Sequence, residues 1–243
     1  MKKYILSGLT ILVLFSCNSI NKKPETSDKS NLDVQVIGAL KNVMWKGEVK
    51  GTIHLDTIKN KKGLYGLGPV EYLKGELLVV DGKSYVSYVD TDSTMTIKET
   101  FNVSAPFFVY TNVTEWHAIY LTEDIVTKSD LENYLNQLVK KNNKPFAFKL
   151  IGHVRSADIH IQNLPDGIEV NSPEEAHQGQ QNYMLEDSEI EIVGFYSTSH
   201  KGIFTHHDSN VHMHLISADR LKMGHLDNVT FGSSTMKLYL PKN

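Results

Sequence analysis

The chain has 243 residues and a formal net charge of −3, a length that suits one large domain or two small ones. Because it has 25 basic against 28 acidic side chains and no long basic run, we expect no nucleic acid among its partners. The single cysteine excludes a fold held by internal disulfides, so the core alone must stabilise the domain.

The first residues have the pattern of an export signal. Lys2-Lys3 precede an apolar run from Tyr4 to Phe15, which is too short to span a membrane as a permanent helix. Cys17 follows directly in Leu-Phe-Ser-Cys, which resembles a bacterial lipoprotein box, in which the cysteine becomes the lipid-bearing first residue. The alternative is cleavage and secretion without a lipid.

These features predict three segments. Residues 1–17 form a lipoprotein-type signal peptide, and residues 18–31, rich in Lys, Ser, Asn and Thr, form a flexible tether. Residues 32–243 form the folded domain. We therefore expect an exported protein of the periplasm or cell envelope, anchored to the membrane through a lipidated Cys17.

Helical periodicity predicts two helices in the folded part. Asn31 is expected to cap a helix that ends near Gly47. Ser129 and Glu132 have capping-box spacing and predict a second helix, which ends at Lys140-Lys141.

Most of the remaining pattern is that of strands. Asp81-Gly82 predicts a two-residue hairpin turn between strands 75–80 and 83–88. Residues 63–69 are interpreted as turn-rich, and residues 164–182 as a polar loop. Hairpins with a few segregated helices favour the α+β class. Further strands are predicted at 107–110, 116–121, 146–154, 158–162, 190–196, 211–217 and 236–240.

The most informative pattern is the spacing H-x-H-x10-H. Apolar residues alternate with His212 and His214, so both histidines should project from one face of a strand. If the chain turns at Asp219-Arg220, His214 lies opposite His225 on the returning strand, and the two share a face.

Three neutral imidazoles in this arrangement could bind one ion at about 2.0–2.1 Å and leave a coordination position open, which is typical of a catalytic zinc site. The same donors suit Fe, Ni or Cu. Two alternatives remain open at this point: a solvent-facing histidine pair on a strand, and a histidine-rich loop, with His206 and His207, that binds metal adventitiously.

Three passages resemble the alpha-acetolactate decarboxylase family. The first runs from Gly66-Leu67-Gly68 to Gly75-Glu76-Leu77, and the second is Gly194-Phe195-Tyr196. The third is the histidine run, with its Asp219-Arg220 turn and Gly224-His225. The similarity extends over most of residues 32–241.

The resemblance implies a two-part α+β fold of mixed extended sheets, often dimeric, with a metal on the C-terminal hairpin between the parts. It implies a metal-dependent decarboxylase that converts 2-acetolactate, a 2-hydroxy-3-keto acid, to acetoin and carbon dioxide. His212, His214 and His225 would bind the metal, and Glu76 would give a proton to the carbanion. From the residues alone, Glu76 could equally be a solvent-facing glutamate on the strand face it shares with Leu78 and Val80.

The sequence also departs from the family pattern. The family's substrate-binding arginine, counted from Gly152, corresponds to His160, which is predicted to be catalytic, and Arg155 should point to the opposite face. His160 could bind the substrate carboxylate, serve as a further metal ligand, or be a solvated strand histidine. Pro69 replaces a threonine, the connection before His212 is longer, and a second glutamate from the tail is expected to be missing.

These departures keep two alternative functions open. One is a periplasmic lipoprotein that binds a metal or ligand without turnover. The other is a related lyase that acts on another 2-hydroxy-3-keto acid.

Overall fold

The computed structural model describes residue 1 and residues 33–138, 144–232 and 236–242. The expected signal peptide, tether and lipidated Cys17 lie outside the described residues, as do the helix cap at Asn31 and the helix end at Lys140-Lys141. No helix in the described ranges is long and apolar enough to cross a membrane.

The described chain is built mainly from strands, with three α-helices. The helices are α1 (Leu40–Lys46), α2 (Lys128–Leu138) and α3 (Pro173–Ala176). The strands are β1 (Gln35–Ile37), β2 (Ile53–His54), β3 (Leu64–Pro69), β4 (Glu76–Val80), β5 (Lys83–Val89), β6 (Met95–Glu99), β7 (Ser104–Ala105), β8 (Phe108–Asn112), β9 (Trp116–Tyr120), β10 (Phe146–Ile161), β11 (Gln181–Tyr196), β12 (Val211–Ser217), β13 (Met223–Phe231) and β14 (Lys237–Pro241).

The strands form two six-stranded sheets and one small pair. The first sheet has the order β1-β8-β3-β4-β5-β6, the second β11-β12-β13-β10-β14-β9, and β2 pairs with β7. The named strand pairs are antiparallel. The α+β class with two sub-structures is therefore confirmed.

The hairpin between β4 and β5 is the predicted one. Asp81 has a φ of 47° and Gly82 a φ of 79°, so both turn residues adopt the left-handed conformation of a type I′ turn. This turn sets the register of β4, in which Glu76 lies opposite Ser87.

The turn-rich interpretation of residues 63–69 is wrong, because β3 occupies most of this segment in the middle of the first sheet. Its glycines are needed for close packing rather than for turns. A Cβ on Gly66 would lie 2.5 Å from the Phe108 ring on the neighbouring strand. A strand interior with glycine commonly marks such a close approach.

Four strands of the second sheet pair in a closed cycle. β10 pairs with β11 along its whole length and with β13 on its other edge, and β12 links β11 to β13.

The two strands predicted at 146–154 and 158–162 are one strand, β10, bent by register shifts between Val154 and Ser156 and between Asp158 and Ile159. Bulges of this kind let a strand curve without ending.

The two sheets pack on each other through an apolar core. Leu67 and Leu78 of the first sheet meet Val193, Phe195 and Ile216 of the second. Because side chains alternate along β4, the face that carries Leu78 also carries Glu76 and directs it towards the second sheet.

The predicted first helix is correct at its end and wrong at its start. Gly47 caps α1 in the left-handed conformation, with a φ of 64°. Residues 35–37, expected within the helix, instead form β1 and pair with β8. Tertiary pairing thus overrides the local helical pattern.

The second helix begins one position before the predicted cap. Asp130 accepts hydrogen bonds from the backbone nitrogen and the hydroxyl of Thr127, and Thr127 Oγ1 accepts one from Asp130 N, so the capping box is Thr127–Asp130. Ser129 lies inside the helix. The predicted loop 164–182 contains α3 and the start of β11.

Candidate active site

A row of histidines crosses three neighbouring strands. His214 on β12 lies opposite His225 on β13, as predicted, and His225 lies opposite His160 on β10. The turn forms at the expected place, with Arg220 at a φ of 62°. Because directly opposed residues share a face, the register alone brings these three side chains to one side of the sheet.

His212 joins this row from the same face of β12. Its ring centroid lies 5.2 Å from that of His214 and 4.9 Å from that of His225. One ring nitrogen from each of the three histidines lies within 4.8 Å of the others. Their exposed fractions are 4%, 0% and 6% in chain order, so the alternative of a solvent-facing histidine pair is wrong.

Hydrogen bonding fixes the tautomer of His212. Its Nδ1 lies 2.7 Å from the carbonyl oxygen of Phe204, which can only accept, so Nδ1 donates and Nε2 keeps its lone pair. That Nε2 lies 3.2 Å from His225 Nδ1. Two nitrogens bound to one tetrahedral ion at about 2.0–2.1 Å would be about 3.3 Å apart.

His214 completes the test of whether these residues suit a metal. Its Nε2 is buried and has no hydrogen-bond partner among the described residues. A buried nitrogen of this kind is costly unless something binds it. The donor set therefore fits a divalent transition metal, and the predicted site of His212, His214 and His225 stays a prediction.

Burial keeps these imidazoles neutral. It lowers the pKa of His214 to about 3 and the pKa values of His212 and His225 well below the ordinary range, and charge on the neighbouring histidines adds to the effect. Neutral imidazoles have lone pairs available at neutral pH, which is the form that binds metal.

Glu76 approaches the row from the first sheet. Its side-chain Oε2 lies 3.6 Å from His214 Nε2, and its Oε1 accepts a hydrogen bond from the backbone nitrogen of Gln162 at 3.2 Å. Glu76 is 3% exposed, so the solvent-facing alternative is wrong. Burial raises the pKa of Glu76 well above its ordinary value, against the lowering effect of the Gln162 hydrogen bond, and so favours the protonated carboxyl.

His160 is held by a carboxylate that sequence reasoning missed. Its Nδ1 lies 2.8 Å from Asp227 Oδ2, and its ring stacks on His225 at 4.6 Å between centroids. His160 is buried, so the solvated-strand alternative is wrong. His160, His225 and Asp227 also form a second group that could hold a cation. The sequence feature that could have identified Asp227 is its position two residues after His225, which places both side chains on one face of β13.

These side chains surround a small cavity between the two sheets and α1. Its volume is about 30 Å³, which is enough room for a water molecule. Arg155 is exposed and lines a different cavity, consistent with the predicted opposite face. The lining residues are Leu40, Met44, Pro69, Leu73, Glu76, Phe107, His160, Gln162, His177, His206, His212 and His225.

His206, from the longer connection before β12, is part of this cavity wall. Its ring centroid lies 5.3 Å from that of His225 and 6.2 Å from that of His212. Burial, with the nearby charge of Lys128 as the second cause, lowers the pKa of His206 to about 4. His206 is therefore a half-buried neighbour of the cluster, whereas His207 is exposed.

Comparisons with known proteins agree with this fold and sequence pattern. Alpha-acetolactate decarboxylase of Lactococcus lactis subsp. cremoris is 25% identical over 196 residues, which are 79% of this chain and 78% of that protein. The crystal structure of alpha-acetolactate decarboxylase from Bacillus subtilis superposes with a TM-score of 0.71 at 22% identity, covering 87% of this chain and 86% of that one.

A Staphylococcus aureus protein described as similar to alpha-acetolactate decarboxylase also has a TM-score of 0.71, at 17% identity and 85% and 84% coverage of this chain and that one. These two structural likenesses show the shared fold. The alpha-acetolactate decarboxylase family model matches residues 37–242, nearly the whole of the predicted domain. The chain therefore belongs to the alpha-acetolactate decarboxylase family of carboxy-lyases.

Proposed function

We propose that this protein is a metal-dependent decarboxylase that converts 2-acetolactate to acetoin and carbon dioxide. One observation carries the proposal: three buried imidazoles face the buried carboxyl of Glu76 across the interface between the sheets. Family membership and the Lactococcus relative support the same reaction.

His212, His214 and His225 would hold the ion. Neutral ligands leave the full charge on the metal, and zinc or another divalent transition metal would supply positive charge to the substrate oxygens as they become negative. The hydrogen bond from His212 to the Phe204 carbonyl orients its ring, as outer partners commonly do in metal sites.

Glu76 is suited to the proton transfer that completes the reaction. The bond between the carboxylate and the hydroxyl-bearing carbon breaks, its electron pair moves towards the neighbouring carbonyl group, and carbon dioxide leaves. The same carbon then takes a proton from the Glu76 carboxyl, and water returns a proton to the Glu76 carboxylate. The raised pKa of Glu76 favours the form that can donate.

His160 contributes a second oriented polar group. Asp227 fixes one of its ring nitrogens, and the other lies 3.3 Å from the side-chain nitrogen of Gln162. We propose that His160 contacts the substrate beside the ion, because it lines the same cavity as Glu76.

The direct test is an assay of the purified, zinc-loaded chain with racemic acetolactate, in which acetoin and carbon dioxide are both measured. We expect both products in equal amounts. Glu76→Gln should lose the activity, whereas Glu99→Gln, an exposed change on β6, should keep it. Failure of the wild-type protein to form acetoin at high enzyme concentration would reject the proposal.

His206 favours a second candidate, a lipoprotein that binds a metal or ligand without turnover. Because its ring packs against His212 and His225, His206 could fill the open coordination position. This candidate predicts tightly bound metal and no acetoin, with turnover gained on His206→Ala.

We also propose that the protein is exported and anchored to the membrane through Cys17. The charged start, the apolar run and the cysteine in Leu-Phe-Ser-Cys support this. Cys17→Ala should move the protein from the membrane fraction to the soluble fraction and abolish labelling by a fatty acid. We further propose a homodimer, which the family resemblance implies, and light scattering of the soluble form would test it.

A further inference from the structure

Lys128 faces a cleft of about 390 Å³ on the outer side of the histidine cluster. Among the described residues that line this cleft, it is the only lysine or arginine. The lining residues are Lys128, Ser129, Glu132, His206, Asp208, Ser209, His225, Asp227 and Asn228.

The ammonium group of Lys128 is poorly partnered for a half-buried cation. In the described part of the chain it donates one hydrogen bond, to the backbone oxygen of Asp227 at 3.3 Å. Burial lowers the pKa of Lys128, while the charges of Asp227, Glu132 and Asp208 act in the opposite direction. An ammonium group can donate three hydrogen bonds, so donor capacity remains for a ligand.

Two of the nearby carboxylates are engaged elsewhere. Glu132 accepts hydrogen bonds from the Ser209 hydroxyl and from the backbone nitrogen of Asn210, each at 2.9 Å. Asp227 is bound by His160. These acidic groups therefore favour the charged form of Lys128 without occupying its ammonium group.

The position of Lys128 is unfavourable for stability. It is the first residue of α2, where the helix dipole disfavours a cation. The nearby carboxylates offset part of this cost, and the unused donor capacity of the ammonium group leaves it able to bind an anion in the cleft.

We infer that Lys128 binds the carboxylate of the substrate and makes the site selective for anionic 2-hydroxy acids. The inference rests on the proposed function for the identity of the substrate. His206 and His225 line both this cleft and the cavity of Glu76, so the two spaces adjoin at these rings, and the substrate is placed there. Its carboxylate lies on the side of Lys128 and solvent, and its reacting carbon lies on the side of Glu76.

The kinetic test compares Lys128→Met and Lys128→Arg with Lys59→Met, an exposed control. Since the carboxylate is bound before it leaves, Lys128→Met should raise KM for acetolactate by about 10- to 100-fold and change kcat by less than about threefold. Lys128→Arg should recover part of the loss, because it keeps the charge. All variants should keep the bound zinc and the wild-type circular dichroism.

A binding test separates this inference from the proposed reaction. Calorimetry would measure the binding of 2-hydroxy-2-methylbutanoate and of its neutral amide. The carboxylate probe lacks the keto group and cannot decarboxylate by this route. The wild type should bind the carboxylate more tightly than the amide, and Lys128→Met should abolish that preference.

If the wild type forms no acetoin but shows this preference, and Lys128→Met loses it, the inference on Lys128 holds while the proposed reaction fails. Unchanged KM and unchanged carboxylate preference in Lys128→Met would overturn the inference. A wild type that binds neither probe would overturn it as well.

Discussion

His214 and Glu76 face each other across the interface of the two sheets, with 3.6 Å between Nε2 and Oε2. The distance is that of an ion pair, but burial favours the neutral form of both groups, because it lowers the pKa of the imidazole and raises that of the carboxyl. Burial therefore places an imidazole lone pair beside a carboxyl group whose protonated form is favoured. In this arrangement His214 can bind a metal while Glu76, next to it, can donate a proton.

Replacing Glu76 with Gln should abolish proton delivery and keep the site otherwise intact. Glutamine has nearly the same shape as the protonated carboxyl and can still accept the hydrogen bond from Gln162. We expect kcat to fall by about 10²- to 10⁴-fold, the usual range for loss of a general acid. Rapid-mixing assays of acetoin formation would measure this, and wild-type kcat in the variant would contradict the role of Glu76.

Replacing His214 with Gln should remove the metal. With two imidazoles left, bound zinc after dialysis should fall from about one ion per chain to well below half. Mass spectrometry of the metal content checks this. His153→Gln, on β10 and outside the cluster, is the matched control and should keep its zinc. A His214→Gln protein that retains both zinc and activity would refute the site.

The metal-free protein should lose stability in acid. The folded-state pKa of His214, about 3, lies below the unfolded value of about 6.5. Below about pH 6.5 the unfolded chain therefore binds a proton that the folded chain excludes, so the free energy of unfolding is highest above pH 6.5 and falls as the pH falls towards 3. At about pH 5 the loss from this residue is about 2 kcal/mol. Urea unfolding at about pH 7.5 and pH 5 measures it. His214→Gln should show a smaller fall, and an equal fall in both proteins would contradict the assignment.

Replacing Asp227 with Asn should loosen His160 while leaving the three predicted ligands in place. An amide oxygen can still accept a hydrogen bond from Nδ1 but carries no charge, so the orientation of His160 is held less firmly. We expect kcat to fall by about tenfold with zinc content unchanged. Asp124→Asn, the same change at an exposed position outside the site, should have wild-type kinetics. Loss of zinc from Asp227→Asn would instead make Asp227 part of the metal site.

The sequence predicted the parts of the site that depend on local geometry. Alternation along β12 and the turn at Asp219-Arg220 were sufficient to place His214 opposite His225, since both signals lie within one hairpin. The β4–β5 hairpin followed from Asp81-Gly82 in the same way. Short-range rules of turn and register hold here because few residues separate the partners.

The parts that depend on long-range pairing were not predictable in this way. His160 meets His225 only because β10 pairs with β13, and two bulges set the register there. The start of α1 and the strand β3 were mistaken for the same reason, since a neighbouring strand overrides the local pattern. Lys128 has no motif of its own and acquires its role only from the cleft beside it.

The register between β10 and β13 sets how chain length can vary near the site. One residue inserted or removed between Ser156 and His160 would turn the imidazole to the opposite face of the strand and away from His225. In the connection before β12, an insertion is tolerated beside the exposed His207 but not at His206, which lines the cavity, or at Phe204, whose carbonyl holds His212. In the course of evolution only the exposed part of this loop can therefore change length, whereas the spacing within β10 must be kept for the histidine row to survive.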